Sequence, residues 1–70
     1  MEYTVVLHKA EESGYWAEVP SLPGCYSQGE TVEETIANTK DAIESHLAVL
    51  KSEKKKIPQD DVLVLSHVKV

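Results

Sequence analysis

The stretch Gly14-Tyr15-Trp16-Ala17-Glu18-Val19-Pro20-Ser21-Leu22-Pro23-Gly24-Cys25 contains a strand, a break and a tight turn in direct succession. From Tyr15 to Val19, Tyr15, Ala17 and Val19 alternate with Trp16 and Glu18, the period of two that a strand requires. Pro20 to Gly24 interrupts it. Pro23-Gly24 offers a fixed φ followed by a residue free to take positive φ, as a type II turn needs. Cys25 to Gly29 is then a short third strand. Upstream, Tyr3 to Ala10 is a strand with Tyr3, Val5 and Leu7 facing one way and Thr4, Val6 and His8 the other. The polar connection Glu11-Glu12-Ser13-Gly14 makes these two strands an antiparallel hairpin.

Downstream, Thr31 is placed to cap a helix, and Glu34 three residues on completes a capping box. Glu33 and Glu34 suit the positive end of the helix dipole, and Lys54-Lys55-Lys56 the negative end. At 100° per residue, Val32, Ile36, Thr39, Ile43, Leu47 and Leu50 share one stripe. Glu34, Asn38, Asp41, Ser45 and Ser52 lie opposite. Lys54 returns to the apolar stripe, so the buried part ends near Lys51, and Pro58 forbids continuation. Val62 to Val70 starts as an apolar run and then alternates, a fourth strand buried on both faces.

The expected fold is α/β (α+β): one domain, residues 1–70, with βββαβ order and one long helix on a four-stranded sheet in two layers. One helix covers one sheet face. Val6, Trp16 and one face of the last strand stay uncovered, and a contiguous apolar patch marks an interface. The small core points the same way, since chains this short are commonly helped by disulfides, metals or association. Self-association into a dimer or tetramer is therefore expected, with Val6, Val62, Val64 and Val68 as interface candidates.

Charge narrows the partners. The chain of 70 residues has formal net charge −5 and no arginine. Phosphate backbones are held mainly by Lys and Arg, so no direct nucleic-acid binding is expected. An acidic surface suits solubility or a basic partner. A single cysteine, Cys25, rules out an internal disulfide and fits a reducing compartment. No signal-like start and no apolar run of membrane length is visible, so the expected location is cytoplasmic.

Catalytic motifs for phosphate cradling, serine nucleophiles or helical zinc sites are absent. Cys25 reads as a small buried hydrophobe more readily than as a nucleophile. His8 and His67 sit on strands and make at best a weak metal pair; His46 flanks the helix stripe. The expected sets of catalytic residues, metal ligands and cofactors are therefore empty. Trp16 and Tyr15 are ordinary sheet fillers or, since Trp and Tyr are enriched at hot spots, contact residues. Glu11, Glu12, Trp16 and Glu18 are the candidates for partner binding: acids at the hairpin turn, with an aromatic and an acid on one face of the second strand.

The segment Gly14 to Cys25, followed by Gln28-Gly29-Glu30-Thr31 and Glu33-Glu34-Thr35, closely resembles the HicB-like antitoxin family. The resemblance runs from Gly14 to Leu50. It implies a partial ribonuclease-H-like fold without the nuclease's catalytic acids, in a prokaryotic protein that binds and masks a small basic RNA-acting toxin of the HicA type. Family members often carry a C-terminal operator-binding segment; here one strand follows Pro58, so this chain resembles a short form without it. Two other readings stay open: a stand-alone oligomer with a structural or small-ligand role, and a reduced ribonuclease-H-type nuclease needing at least three converging carboxylates.

Overall fold

The computed structural model describes residues 1–62 and 64–70. Its elements are β1 (Val6–Lys9), β2 (Tyr15–Glu18), β3 (Tyr26–Gly29) and α1 (Val32–Ser52). The strands form one antiparallel sheet in the order β1-β2-β3, and α1 packs on β3 and β2. Each strand is shorter than its sequence pattern, because pairing stops where the chain turns away while alternation continues. The register sets Leu7 opposite Ala17 and Ala17 opposite Ser27 on the helix side. On the other side Val6, Glu18 and Tyr26 form one row, and His8, Trp16 and Gln28 the next.

The core centres on Val19, Leu22 and Cys25, with Tyr3, Val5, Ala42, Ile43 and Leu47 packed against it. Leu22 is completely buried although it lies in the break between strands. Two successive turns put it there: Leu22 N donates to Val19 O (2.9 Å), and Cys25 N to Leu22 O (3.0 Å). Gly24 takes φ +85°, as the Pro-Gly pair implied. Burying a leucine side chain is worth about 1.5–3 kcal/mol, so this loop contributes to the core as a strand would.

The helix begins as expected. Thr31 caps it, its hydroxyl accepting from Glu34 N (3.0 Å). Glu34 reaches back one residue further than a standard capping box, accepting from Glu30 N (3.2 Å). The helix ends at Ser52, with Lys54 in the left-handed region at φ 57°. Lys55 N donates to Leu50 O and Lys54 N to Lys51 O, the paired bonds of a Schellman ending in which glycine is the usual residue.

The expected helix stripe holds at Thr39, Ile43 and Leu47, but differs in the first turns. Thr35 and Thr39 are its fully buried residues, whereas Val32 and Ile36 are exposed. The cause lies on β3, whose helix-side residues are the small Ser27 and Gly29. A Cβ on Gly29 would stand 2.8 Å from Thr35 N, so the helix sits very close there. Bulky Val32 and Ile36 do not fit so narrow a gap, and threonines do. Their hydroxyls are buried without loss because each donates to the carbonyl four residues back: Thr35 to Thr31 O (2.7 Å) and Thr39 to Thr35 O (2.6 Å). Ser27 joins them, bonding to Thr39 Oγ1 and to Thr35 O.

The expected fourth strand is corrected. Among the described residues, 62 and 64–70 form no strand, and the sheet is three-stranded rather than four-stranded; Leu63, part of that expectation, lies outside them. The order is βββα, and the described residues after α1 add no further strand. An apolar alternating run forms a strand only when its backbone pairs with that of a neighbour, and the described residues here pair with none. What precedes it is well tied. Tyr3 OH donates to Pro58 O, and Thr4 Oγ1 to Asp60 Oδ2 (2.7 Å). The Ser21 hydroxyl shares its proton between Asp60 Oδ1 (2.9 Å) and Asp61 Oδ1 (2.8 Å), and accepts from Asp61 N.

Candidate functional surface

The sheet face turned away from α1 carries a row of large side chains in mutual contact. Strand pairing brings His8 opposite Trp16, and their rings stack with centroids 4.1 Å apart and 16° between planes. Tyr26 leans on the other side of the indole, 6.3 Å away at 51°. His8 Nε2 lies 2.6 Å from Glu18 Oε2, an ion pair when the imidazole is protonated. These groups remain in contact with solvent: Trp16 is 36% and Tyr26 62% exposed. The face thus offers a flat aromatic centre with a carboxylate at its side. The His8 contact and the strand backbone hold both in place, which lowers the ordering cost of forming an interface.

Beside Trp16, a polar groove of about 570 Å³ runs past Gln28 towards Glu30, Glu34 and Asn38 at the start of α1. Asn38 Nδ2 donates to Gln28 O (2.7 Å), tying the helix to the strand at the groove. Two acids and an aromatic wall make this a place for the cationic side chain of a partner, since ring faces and carboxylates both attract cations.

Of the expected partner-binding residues, Trp16 and Glu18 stand together on the open face. Glu11 and Glu12 are exposed in the connection between β1 and β2, and no hydrogen bond or ion pair joins them to that pair among the described residues. Of the expected interface residues, Val6 is on the open face and half-buried, Val62 is half-buried, and Val64 and Val68 are exposed on the tail. His8, which alternation already sets on the side of Val6, and Tyr26 also belong to the face, though neither was an expected partner-binding residue. Carrying the alternation of Trp16 across the Pro-Gly turn would have found Tyr26.

Elsewhere the chemistry is plain. Cys25 is buried, and burial pushes its thiol pKa up, away from the thiolate a nucleophile needs. His67 is exposed on the tail, while His8 is engaged by Glu18. Among the described residues no group of three or more His, Cys, Asp or Glu is arranged to hold a metal ion, and no helix is long and apolar enough to cross a membrane.

Residues 3–68 match the family described as the HicB-like antitoxin of bacterial toxin-antitoxin systems. A UPF0150 protein of Thermoplasma acidophilum is 44% identical over 87% of this chain and 88% of its own length. A UPF0150 protein of Synechocystis is 45% identical over 89% of this chain and 78% of its own. The crystal structure of the N-terminal domain of the Burkholderia pseudomallei antitoxin HicB superposes with a TM-score of 0.75 at 32% identity, covering 89% of this chain and 73% of that one. The crystal structure of the Burkholderia pseudomallei antitoxin HicB matches with a TM-score of 0.73 at 37% identity, and there this chain corresponds to 43% of the other.

Proposed function

This chain belongs to the HicB-like antitoxin family, and from that premise we propose that it neutralises a small basic toxin of the HicA type by covering the surface with which that toxin engages RNA. The observation that carries the reading is the open sheet face, where Trp16, stacked on His8 and flanked by a tilted Tyr26, stands beside Glu18 on a chain of net charge −5. A cationic RNA-binding surface is attracted to such a chain, which raises the encounter rate. The aromatic row then supplies the desolvated contact that keeps the complex together. The action is masking, with no turnover, cofactor or metal, and it takes place in the cytoplasm. Residues 1–70 act as one domain, with the partial ribonuclease-H-like character that the family resemblance implies. The chain also self-associates, as a dimer or tetramer, and does not itself bind nucleic acid.

The test is a kinetic binding measurement against a HicA-type toxin, the one encoded nearby if the genome holds one, paired with an RNA-cleavage inhibition assay. Trp16→Ala is expected to weaken binding about 30-fold, chiefly through faster dissociation, the scale of a hot-spot residue. Glu18→Lys and the double change Glu11→Lys/Glu12→Lys are expected to slow association and flatten its salt dependence. Wild-type binding by the Trp16 and Glu18 variants would remove the open face from the toxin interface.

A further inference from the structure

We propose that residues 62–70 of one copy add as a fourth strand to the outer edge of β1 in a second copy, and that reciprocal exchange closes a two-fold dimer. The inference rests on the self-association proposed above and specifies its geometry.

Three features of the chain converge on that edge. First, β1 is an edge strand: beyond its pairing with β2, Val6–Lys9 makes no backbone hydrogen bond among the described residues. An open edge is a template for another strand. Second, because α1 packs on β3 and β2, an apolar groove of about 420 Å³ is left between the helix and the segment that leads into β1, walled by Tyr3, Val5, Ile36, Ile43 and Leu47. This groove holds part of the expected helix stripe that the close packing at Thr35 and Thr39 turned aside. Third, residues 64–70 are exposed, the apolar ones among them included. Val64 is 79% and Val68 81% exposed, and Leu65 and Val70 are exposed as well.

The tail and the groove suit each other by period. In a strand, Val62, Val64, Ser66, Val68 and Val70 share one face, which would fill the groove. Leu65, His67 and Lys69 share the other, beside Val6 and His8. The occupant is a second copy because the chain's own tail, although held near β1 by Thr4, Ser21 and Asp60, leaves that anchor without pairing. At about 3.3 Å per residue the tail reaches roughly 30 Å, enough to cross to a neighbour. A two-fold pair gives each copy both the strand it lacks and a place for the strand it exposes.

Sedimentation equilibrium on the full chain tests this, together with an isotope-filtered NOE experiment on an equal mixture of labelled and unlabelled wild-type protein. The expected results are a wild-type dimer, NOEs between copies from Val64 or Val68 methyls to Val5 or Ile43, and at least a tenfold weaker dimer for Val64→Lys/Val68→Lys with its helical circular dichroism intact. Trp16→Ala should remain dimeric. A wild-type monomer at high micromolar concentration overturns self-association altogether. A dimer that the tail variant leaves unchanged, or that Trp16→Ala dissociates, overturns the exchange while self-association stands. The same methyl NOEs found only within one copy place the strand on its own β1 and overturn the exchange too, even if the double variant fails to fold.

Discussion

The two faces of one sheet follow opposite rules. Where the helix comes closest, over β3, the side chains are small: Ser27 and Gly29 meet Thr39 and Thr35, and the gap is so narrow that one added carbon on Gly29 would collide with the helix backbone. On the open side they are large: His8, Trp16 and Tyr26 touch one another and water. The closed face allows close approach within the chain, and the open face leaves its aromatic row to solvent, where the proposed partner would meet it. A substitution should therefore report which of the two it touches, either as stability or as binding.

The strongest measure of the closed side is Leu22→Ala, which empties a fully buried site. It should destabilise the chain by about 2–5 kcal/mol in chemical denaturation. A loss near that of a surface change, under about 0.5 kcal/mol, would mean that the loop is not part of the core. Ile43→Ala removes a residue that is half-buried within one chain at the groove; with the exchanged strand filling that groove it should cost nearly as much, about 2–4 kcal/mol. A loss of only about 1 kcal/mol would mean that the groove stays open in solution, against the exchange. Trp16→Ala should lower stability by only about 0.5–1.5 kcal/mol, the worth of its aromatic contacts, while removing most of the affinity for the proposed toxin. Equal losses of both would erase the distinction between the faces. Lys54→Gly should gain about 0.5–1 kcal/mol by relieving a left-handed lysine, with binding unaltered.

The smallest effect concerns the anchor of the tail. The hydrogen bond from Thr4, helped by that from Ser21, holds the Asp60 carboxyl below its ordinary value of 3.8. A carboxyl with a lowered folded-state pKa contributes stability that is present above the unfolded value and is lost as pH falls through the folded one. Thermal melts of wild type and Asp60→Asn should therefore differ at neutral pH and converge once the pH drops below the ordinary aspartate range. A gap that persists unchanged to low pH would show that ionisation of Asp60 is not what ties residues 58–61 to Thr4 and Ser21.

Much of this molecule is local, and local signals are legible in a sequence. The hairpin follows from alternation and a polar connection, the turn at Gly24 from Pro23-Gly24, and the helix from Thr31, its two acids and Pro58. Even the outward position of Trp16 and Glu18 follows from the period of a strand. Each depends on residues a few positions apart, whose steric and hydrogen-bonding preferences act before any distant contact forms.

Other features needed the folded chain. The helix phase was decided by how little room Ser27 and Gly29 leave, which no helical wheel contains. Leu22 in the core, His8 on Glu18, and Asp60 on Thr4 and Ser21 join residues far apart in sequence. The segment 62–70 shows the limit most plainly. Its apolar alternation records a preference for lying in a sheet, but a strand exists only where backbone donors and acceptors meet those of a neighbour. Whether such an edge is within reach is a property of the packed molecule and its copies.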